Sequence, residues 1–398
     1  MRVTQALNQF QFLAQIHTLE ANLSQTQNQI SSNQAFTTAS QNPTAAGSVN
    51  NYNQALAQSQ QYVTNSNSAQ TRLSTEDSTL SHIQLQLQSL RDLALQANTS
   101  TLSAQDRSAI ATQAAQIQAS IVGLANTQDG NGEYLFGGFS SQAQPFTQSV
   151  SGATYNGDQG QRQVQIAAGQ TVADGDNGDT VFNQVPTGNG TFAAAPAATN
   201  TGTGVLGATT VSAAAGNYDG GTYSISFTAP GTYEVRDSAN ALVTSGSYTP
   251  GDSISFRGVQ VTLNGQPASG DSFSVAPSTN QSLFATVQNL VTALRVGGST
   301  SQATAQLNNA VSASLNNIDQ ALDNLSTVRA SVGARLNTIT TQQSVAGTQQ
   351  IQLQTSISSL QSLDYASALT TLTQQNTTLS AALQAYTITQ GLSLFKFL

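Results

Sequence analysis

The chain has 398 residues, room for two or three domains, and 38% of them are apolar, enough to bury a core. Charged residues make up only 8%, against about a quarter in an ordinary globular protein, and the net charge is -8 with Lys396 as the sole lysine, which excludes a phosphate-backbone partner. With no cysteine, disulfides, thiolate metal sites and cysteine nucleophiles are excluded too.

No apolar run approaches the roughly 20 residues of a membrane span, so no membrane partner is expected. Met1 to Leu13 also lacks a charged segment followed by an apolar one. Export, if it occurs, is expected to use a route that cleaves no signal peptide.

In chain order, Phe12, Ile16, Leu19, Leu23 and Ile30 repeat at 3-4 spacing and predict a first helix within residues 1–42, stopping before Asn42-Pro43. A second helix is expected from about Thr44 to Gln96, with Leu73, Leu80 and Leu87 in one row and Ile83, Leu90 and Ala97 in another. Ser103, with Asp106 at the capping-box position, opens a third helix carrying Ile110, Ala114, Ile117, Ile121 and Leu124.

Turn signals begin at Asp129-Gly130-Asn131-Gly132, and short alternating runs predict strands at Thr222 to Thr228, Thr232 to Arg236, Ser253 to Phe256, Val259 to Leu263 and Ser272 to Val275. Between them, Pro186 to Gly207 has no periodicity and is expected to be a linker or a loosely packed insertion. Helical spacing resumes near Leu283. Val311, Leu315, Ile318, Leu322, Leu325, Arg329, Val332, Leu336 and Ile339 then keep a 4-3 rhythm in which Arg329 interrupts the stripe, with Glu76 and Asp92 as its expected partners. A last helix is expected from Ile351 to about Gln390, with Leu369, Leu372, Leu379, Leu383 and Tyr386 on one side, before the apolar ending that holds Leu394 and Phe395.

The fold class is therefore mainly α with inserted β: a long antiparallel α-helical coiled-coil bundle formed by the N- and C-terminal segments, with a β-rich domain between them. The expected divisions are 1–42 and 347–398 as the helices of a polymerisation domain, set off by Pro43 and Gly347, and 43–140 and 281–346 as the two halves of the bundle. Residues 141–280 form the β insert, with possible subdivisions 141–187 and 205–277. The outermost segments are expected to be loosely ordered until assembled, because ordering costs about 1–2 kcal/mol per residue and needs buried area in return.

Catalytic chemistry has little to work with. His17 and His82 both fall in helical repeats as surface residues. The run Asp174-Gly175-Asp176-Asn177-Gly178-Asp179 looks like a calcium loop, but its twelfth position is Val185 where an EF-hand needs glutamate, so a turn between strands is expected. No phosphate-binding glycine loop is followed by a lysine. Neither an enzyme, nor a cofactor, nor a metal site is expected.

Leu124-Ala125-Asn126-Thr127-Gln128-Asp129-Gly130-Asn131-Gly132-Glu133-Tyr134-Leu135-Phe136-Gly137-Gly138-Phe139 closely resembles the flagellar hook-associated protein 3 family, the hook-filament junction proteins related to flagellin. So do Tyr155-Asn156-Gly157-Asp158 with Arg162, Val164 and Ile166, Gly178-Asp179 with Val181-Phe182, Thr327-Val328-Arg329-Ala330-Ser331-Val332-Gly333 and Gly391-Leu392-Ser393-Leu394-Phe395. The resemblance implies an adaptor between the first hook-associated protein and flagellin, copies of itself in a helical or ring layer, a cytoplasmic export chaperone, and secretion by the flagellar type III route. It marks Asn126, Asp129, Gly130, Asn131, Gly132, Tyr134, Phe136, Gly138, Arg329 and Gly333 as family positions. Relatives usually carry paired acids before the proline, where this chain has Gln41-Asn42-Pro43. Flagellin itself and a flagellar adhesin acting through the insert are the alternatives.

Overall fold

The computed structural model describes residues 2–99, 102–212, 216–296, 298 and 300–395, with side chains from residue 7 to residue 389 of these. Among the described residues there are six α-helices: α1 (Arg2–Ser32), α2 (Pro43–Ala97) and α3 (Ala104–Ala125) before the strands, and α4 (Leu283–Val296), α5 (Ser301–Gln361) and α6 (Tyr365–Phe395) after them. Between α3 and α4 lie β1 (Phe146–Ser149), β2 (Gly152–Tyr155), β3 (Gln163–Ala167), β4 (Gln170–Ala173), β5 (Val185–Pro186), β6 (Phe192–Pro196) and β7 (Val205–Val211). They are followed by β8 (Tyr223–Ala229), β9 (Thr232–Asp237), β10 (Leu242–Ser247), β11 (Ser253–Phe256), β12 (Val259–Asn264), β13 (Ser272–Pro277) and β14 (Asn280–Gln281). The inserted-β architecture expected from the sequence is thus the one observed.

The chain divides into two compact units, residues 1–64 with 342–398, and residues 65–341. In the first, α1 packs antiparallel on α6: Phe12 stacks on Tyr386 at 5.6 Å, and at the other end Ala35 N–H donates to the Gln361 carbonyl. Phe36, Ala45 and Val49 close on Ile357 and Leu360. Neutral residues precede Pro43: Asn42 caps α2, its Oδ1 accepting from Ala45 N–H at 3.1 Å, and Gln41 Oε1 accepts from Thr37 N–H within the preceding turn. No charge pair is needed to start α2.

In the second unit, the heptad rows of α2 and α5 face each other antiparallel. Leu73, Leu80, Ile83, Leu87 and Leu90 meet Val311, Ile318, Leu325, Val332 and Ile339 in one buried cluster that α3 and α4 complete. The Ser103 capping box is formed as expected, with Ser103 Oγ accepting from Asp106 N–H and the Asp106 carboxylate from Ser103 N–H. A second core belongs to the insert. Strands in the order β10-β9-β8-β13-β6 form one sheet and β11-β12-β7 another, and Tyr223, Ile225, Phe227, Val235, Val259, Val261, Leu263, Phe273 and Val275 fill the space they share.

Several expectations are corrected. The first helix ends at Ser32, eleven residues before Pro43, where Asn33 takes a φ of 54°. Gly347 does not separate the last helix from the bundle: α5 runs through it to Gln361, because an isolated glycine weakens a helix without breaking it. The break comes at Ser362 to Asp364, and Asp364 Oδ1 caps α6 by accepting from Ser367 N–H. The stretch from Pro186 to Gly207 is no loose linker. It holds β6 and the start of β7, and Phe192 is fully buried. Its alanines pair by backbone against β13, and Val205 and Leu206 against β12, with too little apolar contrast along the stretch to show alternation.

Candidate functional site

In the first unit the α1–α6 seam is built from Phe12, Ile16, Leu19, Leu23, Thr26 and Ile30 on one helix, a 4-3-4-3-4 spacing, and from Ala368, Leu372, Gln375, Leu379, Ala382 and Tyr386 on the other, all buried or half-buried. Leu369 and Leu383 fall outside it, 49% and 43% exposed, and Leu7, Phe10 and Ile388 are exposed as well. The sequence-predicted stripe therefore separates into a paired set and an unpaired apolar set. The side chains of Leu394 and Phe395 lie outside the described residues.

In the second unit the motif after α3 is a folded turn clamped to the bundle. Asn126 holds β1 as a neighbouring strand would, donating to the Phe146 carbonyl and accepting from Phe146 N–H, both at 2.9 Å. Asp129 Oδ1 accepts from the N–H groups of Asn131 and Glu133, while its Oδ2 meets Arg72. Burial pushes the Asp129 carboxyl up, but those two N–H groups and Arg72 outweigh it and hold it below the ordinary 3.8. Gly130 and Asn131 are exposed, and Gly132 takes a φ of 80° at the tip. The Tyr134 carbonyl accepts from Arg72 at 2.9 Å.

Phe136 is fully buried, edge-on to Phe182 at 5.1 Å, and Phe146 and Phe284 complete the cluster beneath the turn. Gly138 has a φ of 70°, and a Cβ there would collide with Asp158. Asp158 in turn gathers the N–H groups of Phe139, Ser140 and Gly160, which hold its carboxyl below the usual range. The Tyr155 hydroxyl donates to the carbonyls of Phe136 and Asp158, and its pKa is pushed up to about 12, chiefly by burial.

The acidic run at 174–179 is the outer half of the same clamp. Arg162 bridges Glu133 and Asp174, and Arg335 on α5 pairs with Asp176, so three arginines join α2, the motif turn, the acidic run and α5. No group of three metal-ligating side chains occurs among the described residues. Glu76, fully buried at a heptad position of α2, accepts from Asp176 N–H through Oε1, while its Oε2 has no hydrogen-bond partner. Burial first, and the Asp176 charge second, push its pKa well above 4.5.

A raised carboxyl keeps its proton in the folded state, so its contribution to stability is complete below about 4.5 and is lost as pH rises through the folded value. Glu76→Gln keeps the acceptor for Asp176 N–H and removes the ionisation. Urea midpoints between about pH 5 and about pH 9 are expected to decline for the native chain relative to Glu76→Gln, and parallel curves would refute this.

Arg329 pairs with Asp77 at 2.9 Å and Gln84 at 2.8 Å, which corrects the expected partners Glu76 and Asp92. Asp77 follows Glu76 by one residue, about 100° further round the helix and out of the core. Gly333 has nothing within 4 Å of a Cβ, and nothing in the single chain explains it. His17 and His82 are exposed helix-surface residues, as expected.

Among known proteins, residues 3–141 match the bacterial flagellin N-terminal helical region, 315–398 the bacterial flagellin C-terminal helical region, and 196–277 the D2-like domain of flagellar hook-associated protein 1. The chain is thus a flagellin-type flagellar protein. FlgL of Xanthomonas campestris is 39% identical over 77% of this chain and 99% of its own, with a TM-score of 0.73; flagellar hook associated protein-3 of Legionella pneumophila is 30% identical over 78% and 98%, also with a TM-score of 0.73. The chain belongs to the flagellar hook-associated protein 3 family. It is 31% identical to flagellar hook-associated protein 3 of Salmonella typhimurium over 46% of this chain, but the match spans only 58% of that relative. The likeness of the insert to a domain of hook-associated protein 1 has no counterpart among the sequence expectations.

Proposed function

We infer that this chain is the structural adaptor at the hook-filament junction of a bacterial flagellum, seated on the first hook-associated protein and carrying flagellin, with copies of itself completing one layer. The observation that carries the inference is the unpaired apolar set on α1 and α6: Leu7, Phe10, Leu369, Leu383 and Ile388 remain exposed although the two helices already bury a heptad seam between them. An apolar surface left over after intramolecular pairing suits contacts with neighbouring subunits stacked head to tail. Residues 1–42 and 347–398 form the polymerising part in this inference, and an export chaperone covers the C-terminal helix before secretion without a cleaved signal peptide.

Deleting the gene tests the role. Intact hooks with flagellin shed into the medium are expected, and normal filaments would refute it. Limited proteolysis of the isolated chain tests the polymerising part. Two paired helices are marginal alone in water, so cleavage is expected within α1 and α6 before residues 65–341, and equal resistance would contradict the inference.

A further inference from the structure

The face of α5 that lies roughly opposite its core stripe carries side-chain amides at positions 302, 309, 317 and 324. These spacings of seven, eight and seven residues keep all four within about 80° of arc at about 100° per residue. Each bonds to main chain, and each main-chain partner lies between the π-helical turn Asp179–Asn183 and β7. Gln302 donates to the Asn200 carbonyl at 2.9 Å and Asn324 to the Val181 carbonyl at 2.9 Å, while Asn317 accepts from Gly188 N–H at 2.9 Å. Asn309, only 4% exposed, donates to the Gly204 carbonyl at 2.9 Å and accepts from Leu206 N–H at 2.7 Å.

That last pair has a specific geometry. β7 is the end strand of its sheet, with β12 on one side, and Asn309 supplies on the other side the donor and acceptor that a further strand would supply. Residues 301–318 of α5 contain no charged side chain.

We propose that this amide stripe is a docking track: it fixes residues 181–206 of the β insert to α5 by reading main chain, with Asn309 closing the free edge of β7. Three consequences follow from the chemistry. The bonds of the track are indifferent to salt, because no charge takes part in them, unlike the Arg335–Asp176 pair further along α5. It leaves the insert's outward side chains free to vary. It also denies the β7 edge to strand exchange with another copy.

Hydrogen exchange of the full chain reads the track directly. In Asn309→Ala, Leu206 N–H is expected to exchange at least about tenfold faster, while the Gly188 signal changes little. Asn317→Ala, which removes a half-buried amide and opens no cavity in the core, is expected to show the converse and serves if the first variant fails to fold. Exchange at the Gly188 and Leu206 N–H groups of the native chain should be the same in about 0.1 M and about 1 M sodium chloride. Unchanged exchange at the reporter amide of a folded variant would overturn the proposal, and so would exchange at those two groups that rises with salt in the native chain.

Discussion

Arg72→Ala is expected to lower the melting temperature of residues 65–341 by roughly 10 °C. Arg72 is only 7% exposed, and its guanidinium meets the Asp129 carboxylate and the carbonyls of Tyr134 and Leu135. Removing it strands a carboxylate and two carbonyls out of water, which costs about 3–5 kcal/mol for a buried pair. Arg72→Lys is expected to recover only part, since one ammonium cannot reach all three acceptors at the fork geometry of arginine. The control is Arg91→Ala, which breaks a pair with Asp319 that is 40% exposed on the arginine side and is expected to cost under about 1 kcal/mol. Equal losses in the two alanine variants would show that the clamp is not what holds the motif turn.

Phe182→Ala is expected to cost about 3–5 kcal/mol through the cavity it leaves. Its ring is fully buried and touches Phe136, Phe146 and Phe284, with centroids at 5.1, 5.4 and 5.8 Å, so one side chain joins the motif turn, β1 and the start of α4. Faster hydrogen exchange is expected in all three segments at once, because none of them keeps its apolar floor. A loss below about 1.5 kcal/mol, or exchange raised in only one segment, would mean that the three are held independently.

The apolar periodicity of the two ends is enough to show that they pair, because a stripe at 3.5-residue spacing buries itself against another such stripe, but on α6 it does not single out the seam, for Leu369 and Leu383 fall outside it. The strands that alternate strongly, such as β8 with Tyr223, Ile225 and Phe227, are equally legible. What escapes sequence reasoning is carried by weaker contrast. β6 is Phe192 followed by three alanines and a proline, and the α5–α6 break has neither glycine nor proline, only the Asp364 cap.

The clamp leaves one visible mark in the sequence. Along α2 the core positions run Ala69, Leu73, Glu76, Leu80, Ile83 and Leu87, and a glutamate inside that series is a buried acid in need of a partner. Its partner lies a hundred residues away, in a run that looks like a calcium loop. Three of the four docking amides are equally plain as asparagines, which a helix does not favour, but their function depends on main chain that only the fold brings close.

Position along the flagellum tests the adaptor role most directly. A small tag inserted in the exposed β9–β10 turn at Ser238 to Asn240, which belongs to neither α1 nor α6, can be decorated with gold and imaged on intact flagella. A single narrow band where hook meets filament is the predicted result. Label distributed along the filament would make the chain a filament subunit and contradict the junction role.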